Sequence, residues 1–237
     1  MSTLDILIHY VERLENRFFV LDVIIDDGWE ELGQGHFSTI FQHKDFPDHV
    51  IKLNRREGDC WPIYAKYCVD NVNNEKVNKH LPAIHKFIRL KNNKFIAVLD
   101  KLEEVAESDG SDMADAFCSI EEVLDVYCGL NTFEPYEWYG CAEYFKVDEG
   151  YEAVRIAHIE AEERNTELYR TAKTIRDELC DYCDIDIHLG NFMLDKNGVV
   201  IITDPVSSST GRDYRKDAWA SNEIEELEDV FYNKKCA

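Results

Sequence analysis

The sequence predicts an α+β fold with a leading helix, a strand-rich amino-terminal half and a helix-rich carboxy-terminal half. Two observations carry this. Apolar residues recur at helical spacing over residues 3–22, then break into short runs separated by turn residues. After Glu103 the longer patterns return to helical spacing. The chain has 237 residues, enough for one large domain or one two-lobed domain. Apolar residues make up 45 %, and twelve Phe, twelve Tyr and four Trp can fill a core, so a disordered chain is excluded.

Taken in order, Leu4, Ile6, Leu7, Tyr10, Val11, Leu14 and Phe18 form an apolar stripe on one predicted helix. It occupies residues 1–27 and packs on the sheet-based lobe after it. Strands are expected at residues 29–32, 37–43 and 50–53, with turns at the glycine-containing stretch and at residues 45–48. Residues 60–69 read as a helix whose Pro62 must lie in the first turn. Residues 83–90 and 95–102 form a hairpin around Lys91-Asn92-Asn93-Lys94. Helices are expected at residues 113–127, 137–145, 151–161 and 166–183. Short strands at 191–194 and 199–203 flank the turn Asp195-Lys196-Asn197-Gly198. An acidic helix at 222–232 completes the pattern. The expected division is residues 28–103 for a sheet-based lobe and 104–237 for a helical lobe, and such a junction commonly houses a ligand cleft.

The formal charge is −22, from 48 acidic and 26 basic residues. A surface this acidic repels phosphate backbones and anionic lipid, so neither direct nucleic-acid binding nor membrane association is expected. No apolar run reaches the ~20 residues of a membrane span. The amino terminus shows no signal-peptide pattern, so the eight cysteines are expected to be reduced and the chain cytoplasmic. Cys180 and Cys183 form a C-x-x-C without a second pair at zinc-ribbon spacing, and read as packed thiols on a helix.

Five polar features carry the chemistry. Gly33-Gln34-Gly35-His36-Phe37-Ser38 lies between two strands, a context that suits a loop folded over a nucleotide triphosphate better than a dinucleotide fingerprint. Gly33, Gly35, Phe37 and Ser38 are the expected nucleotide contacts. Lys52 stands between Ile51 and Leu53 in a strand, so alternation sends it to the opposite face, towards α- and β-phosphates. Asp186 and Asn191 are separated by four residues, the D-x-x-x-x-N spacing of a phosphotransfer loop. There Asp186 accepts the substrate hydroxyl proton and Asn191 reaches a metal. His188 within that loop interacts with the γ-phosphate or braces the loop. Asp204 ends an apolar strand and is placed to bind Mg²⁺. The partner of Lys52 is sought among Asp59, Glu57 and Glu75, with Asp59 preferred. Each feature is weak alone; their order predicts an ATP- and Mg²⁺-dependent phosphotransferase of protein-kinase-like fold.

The chain resembles the early serine/threonine protein kinases of Autographivirus-type podophages. The resemblance rests on Leu32-Gly33-Gln34-Gly35-His36-Phe37-Ser38, Val50-Ile51-Lys52, Ile187-His188-Leu189-Gly190-Asn191 and Ile202-Thr203-Asp204-Pro205-Val206-Ser207, and runs from about Leu32 to the end. It implies phosphorylation of host proteins in the bacterial cytoplasm, including transcription and RNA-processing machinery. Longer members carry a basic carboxy-terminal region that shuts off host transcription; this chain ends at Ala237 without one. No A-P-E-like segment follows Asp204, so a full activation segment is not expected. Ser207, Ser208, Ser209 and Thr210 are candidates for self-phosphorylation or a plain serine turn. Two further readings stay open. The D-x-H-x-G-N block also occurs in aminoglycoside-type small-molecule kinases, and so acidic a chain could instead act without turnover as an inhibitor of a basic host surface or a DNA mimic.

Overall fold

The computed structural model describes residues 2–15, 17–56, 59–71, 78–90, 94–105, 167–180 and 182–207. They fall into two units, the first within Met1–Val72 and Pro82–Lys101, the second within Asn73–Leu81 and Leu102–Ser207. The helices expected at residues 113–127, 137–145, 151–161 and 222–232 lie outside the described residues, as do Glu57 and Glu75.

The first unit opens with α1 (Thr3–Glu12) and α2 (Val20–Asp26). Ser2 and Asp5 form a reciprocal capping box at the start of α1, satisfying two amide groups that the helix itself cannot. The single helix expected over residues 3–22 is therefore two, and hydrophobic phase gives the reason. Leu7, Val11 and Leu14 share one stripe, and Phe18 would continue it. Phe18 is instead 80 % exposed, while Val20 and Ile24, which a continuous helix would turn away from that stripe, are buried with it. Tighter turns after α1, with Leu14 N–H donating to Val11 O and Arg17 N–H to Leu14 O, reset the phase.

Five antiparallel strands follow: β1 (Glu30–Gln34), β2 (Ser38–Gln42), β3 (His49–Asn54), β4 (Ile84–Arg89) and β5 (Phe95–Asp100). Their spatial order is β1-β2-β3-β5-β4. Strand alternation sorts the sheet into two faces. Phe41, Ile51, Leu53, Ile88, Leu90, Ile96 and Val98 join Leu7, Val11, Val20 and Ile24 in one core beneath the amino-terminal helices. The opposite face carries Lys52 with Phe87, Phe95 and Ala97, met by Trp61 of α3 (Trp61–Asn71). Asp59 starts that helix: its Oδ1 accepts the Trp61 N–H at 2.9 Å, and Pro62 occupies the first turn, where an amide hydrogen is dispensable.

In the second unit β6 (Glu103–Glu104), β8 (Phe192–Leu194) and β9 (Val200–Ile202) form an antiparallel sheet, and β7 (Asp184–Ile185) pairs with β10 (Val206–Ser207). The β8–β9 turn is the expected one. Asp195 Oδ1 accepts the amides of Asn197 and Val199, both at 2.8 Å, and Gly198 takes a φ of +75° that disfavours a side chain. α4 (Glu167–Leu179) buries Leu168, Tyr169, Ala172, Ile175 and Leu179 along one stripe. It ends before the C-x-x-C pair. Cys180 is exposed and Cys183 buried, neither in a disulfide, so only the second is packed as expected. A short 3₁₀ turn (Asn78–His80) joins this unit by a 2.7 Å hydrogen bond from His80 Nδ1–H to Val200 O. Among the described residues no helix is long and apolar enough to cross a membrane.

Candidate active site

Lys52 sits mid-strand in β3, opposite Ile40 of β2 and Ala97 of β5. Only 4 % of it is exposed. Its Nζ lies 4.4 Å from the centre of the Trp61 ring, a cation–π contact, and Trp61 in turn stacks on Phe95 at 5.2 Å. Lys52 thus occupies the face that strand alternation predicts, away from Ile51 and Leu53. Trp61 carries no signal in the sequence beyond its place at the head of a predicted helix. Asp59, the expected partner of Lys52, accepts hydrogen bonds from the Trp61 amide at 2.9 Å and from Asn54 Nδ2 at 2.8 Å.

The glycine loop joins β1 to β2. A register shift between Glu31 and Gly33 bends β1 just ahead of it. Gly35 N–H donates to Ser38 O at 2.9 Å, and Phe37 O accepts the Arg55 N–H at 2.8 Å, so the loop is pinned to the end of β3. Ser38 is buried and Phe37 half-buried, whereas Gly33 and Gly35 are exposed. No atom lies within 4 Å of where a Gly33 Cβ would stand. Internal crowding therefore does not demand glycine there.

The second unit brings Asp186, His188, Asn191 and Asp204 onto one short stretch of chain. Ile187 is buried and anchors the loop, leaving its neighbours Asp186 and His188 partly exposed. Asn191 Nδ2 donates to Asp186 O at 2.6 Å, closing the four-residue interval into a ring. That bond leaves the Asn191 Oδ1 as its oxygen donor. Asn191 O is held from the other side by Thr203, whose amide and hydroxyl donate at 2.8 and 3.0 Å. Asp186 N–H donates to Pro205 O at 2.8 Å. Asp204, half-buried, lies between Thr203 and Pro205, the two residues that make these bonds. In the sequence Thr203 and Pro205 are visible only as neighbours of Asp204; their bracing role needs the hairpin to bring β9 back beside the loop.

His188 is fixed by its own backbone. Gly190 N–H donates to His188 Nδ1 at 3.1 Å, which puts the proton of the neutral ring on Nε2, 4.0 Å from Asp186 Oδ2. A Cβ on Gly190 would come within 3.0 Å of His188 Cε1, so this glycine makes room for the ring. Lys52 and the glycine loop belong to the first unit, and Asp186, His188, Asn191 and Asp204 to the second.

No curated protein sequence is significantly similar to the chain. Among solved structures, the GDP and kanamycin complex of APH(2")-IIia matches 96 % of this chain and 86 % of its own length, at 14 % identity and a TM-score of 0.32. A family model decides the matter. The model described as Bacteriophage T7 protein kinase 0.7 matches residues 9–235, which include the glycine loop, Lys52, the Asp186–Asn191 loop and Asp204. The chain belongs to the bacteriophage T7 protein kinase 0.7 family.

Proposed function

We propose that the protein is an ATP- and Mg²⁺-dependent serine/threonine kinase that acts on host proteins, transcription and RNA-processing components among them, in the bacterial cytoplasm. The observation that carries the reading is the closed Asp186–Asn191 ring with Asp204 beside it, inside a family match that spans nearly the whole chain. Residues 28–103 serve as the nucleotide-binding lobe, and residues 104–237 carry the catalytic loop at 184–191.

In this reading the backbone at Gly33 and Gly35, with Phe37 and Ser38, covers the nucleotide, and the Lys52 ammonium engages its α- and β-phosphates. Asp59 orients the start of the helix that supplies Trp61 and is the proposed counter-charge for Lys52. Asp204 and Asn191 offer a carboxylate and an amide oxygen, hard donors that fit Mg²⁺. When bound, Mg²⁺ offsets the charge of the transferring phosphoryl group. An Asp186 carboxylate oxygen takes the proton of the attacking serine or threonine hydroxyl. His188, with its Nε2 4.0 Å from Asp186 Oδ2, braces the loop beside that carboxylate.

The test is transfer of label from ATP to proteins in a bacterial lysate, followed by phosphoamino-acid analysis. Wild type is expected to label serine and threonine. Asp186→Asn should lose about 10²–10⁴-fold in rate, the usual cost of removing a base, and Lys52→Ala should raise the KM for ATP as well as lower kcat. A wild-type protein that labels nothing in the lysate would reject the assignment.

A further inference from the structure

One corner of the first unit carries a donor set that phosphoryl transfer does not use. His49 begins β3 and Asp100 ends β5, and the two are directly paired across the strands. His85 lies in β4, where the register against β5 shifts between Ile84 and Lys86. His85 is the extra residue of that bulge. A regular ladder would send it to the face of Phe87; the bulge re-aims it towards Asp100. Three strands thereby deliver two imidazoles and one carboxylate to a single point.

The three groups already stand close together, His85 Nε2 and Asp100 Oδ1 within hydrogen-bond distance. Asp100 Oδ1 lies 2.7 Å from His85 Nε2 and 3.8 Å from His49 Nε2. All three ligating atoms lie within 4.8 Å of one another. A tetrahedral ion with bonds near 2.0–2.1 Å spaces its ligands about 3.3 Å apart, so small side-chain rotations complete the set. Both histidines are half-buried, on a sheet whose strands hold their backbones in place. Asp100 is partly exposed, which leaves a coordination position open to water.

We propose that His49, His85 and Asp100 form a site for a divalent transition-metal ion of the Zn²⁺ type, clipping β3, β4 and β5 together. The two nitrogen donors select such an ion over Mg²⁺ or Ca²⁺, which prefer oxygen. The parity of β3 puts His49 on the face opposite Lys52, so the site is separate from the proposed nucleotide contacts and does not depend on them. The competing account is a plain His85–Asp100 ion pair, which needs no metal.

The untagged full chain, stripped with chelator, is titrated with Co²⁺ and its visible spectrum recorded, with Zn²⁺ as competitor. One equivalent is expected to give ligand-field bands that Zn²⁺ abolishes, and Zn²⁺ should raise the thermal midpoint. His85→Gln and Asp100→Asn should each weaken Co²⁺ binding at least about tenfold. Asp186→Asn and Asp204→Asn should leave the spectrum unchanged, which keeps this test apart from the kinase assignment. Far-ultraviolet circular dichroism identifies any variant that fails to fold, and either substitution alone suffices. Absence of the bands in the folded wild type, their persistence in His85→Gln or Asp100→Asn, or an intense thiolate charge-transfer band assigning the ion to cysteine, would each overturn the proposal.

Discussion

Lys52 and the Asp186–Asn191 loop are positioned by opposite means. Lys52 is placed by residues that do no chemistry: the register of β2, β3 and β5, and the stack of Trp61 on Phe95 on Phe87. The loop is placed by its own chemical residues. Asn191 holds the Asp186 carbonyl, Gly190 holds His188, and Thr203 holds Asn191. The difference teaches where damage should appear. Substitutions around Lys52 should register first as lost stability. Substitutions in the loop should register first as lost turnover, because few apolar contacts depend on them.

The sharpest way to break that contrast is Trp61→Ala. Trp61 is 1 % exposed, stacks on Phe95 and forms the platform under the Lys52 ammonium. Truncating a buried tryptophan costs about 3–5 kcal/mol, so a large drop in the urea midpoint is expected. Full stability in this variant would show that Lys52 is held by something other than the aromatic stack.

Next in size is Asn191→Ala. It removes the amide that closes the ring on Asp186 O and also deletes a proposed metal donor. Leaving a partly buried carbonyl unsatisfied costs up to about 1–3 kcal/mol of stability, and the lost metal donor and freed Asp186 should add a larger loss in kcat. Single-turnover kinetics beside chemical denaturation separates the two. Equal losses in both would place Asn191 in the scaffold and dissolve the contrast.

The same contrast explains what the sequence could and could not reveal. Alternation alone is enough to put Lys52 on the face away from Ile51, because a strand has only two faces. The Asp186–Asn191 interval is legible because the loop closes on itself over five residues, a local event that spacing records. Two features are not legible. The break between α1 and α2 interrupts a stripe that Phe18 continues in sequence, while burial of Val20 and Ile24 decides the geometry. The bulge at His85 depends on pairing with β5 and leaves no trace in β4 itself. Both are long-range outcomes, and local periodicity is silent about them.

Gly190→Ala should have a smaller effect, confined to the loop. The new Cβ would stand 3.0 Å from His188 Cε1 and 3.2 Å from its Nδ1, so the ring must move. His188 is 58 % exposed and can swing outward, which keeps the cost near 1 kcal/mol. The expected outcome is a several-fold lower kcat with an unchanged KM for ATP and only a small drop in the unfolding midpoint. A normal kcat would mean that His188 does not brace the loop beside the Asp186 carboxylate.

The smallest effect tests the scaffold of the second unit. Burial lowers the pKa of His80 below its ordinary value of 6.5, and its Nδ1–H donates to Val200 O. The folded chain therefore keeps His80 neutral at a pH where the unfolded chain has already taken up a proton. Stability must fall as pH drops below about 6.5, and the fall must level off below the folded pKa. His80→Asn retains a donor for Val200 O but cannot titrate, so it should lose this dependence. Between pH 6.5 and 5.5 the wild type should lose up to about 1 kcal/mol relative to the variant, read from denaturation curves at each pH. Parallel curves would show that His80 is solvated in the folded state and that the 3₁₀ turn is not sealed against β9. In that case the loop's self-bracing would lose its supporting wall.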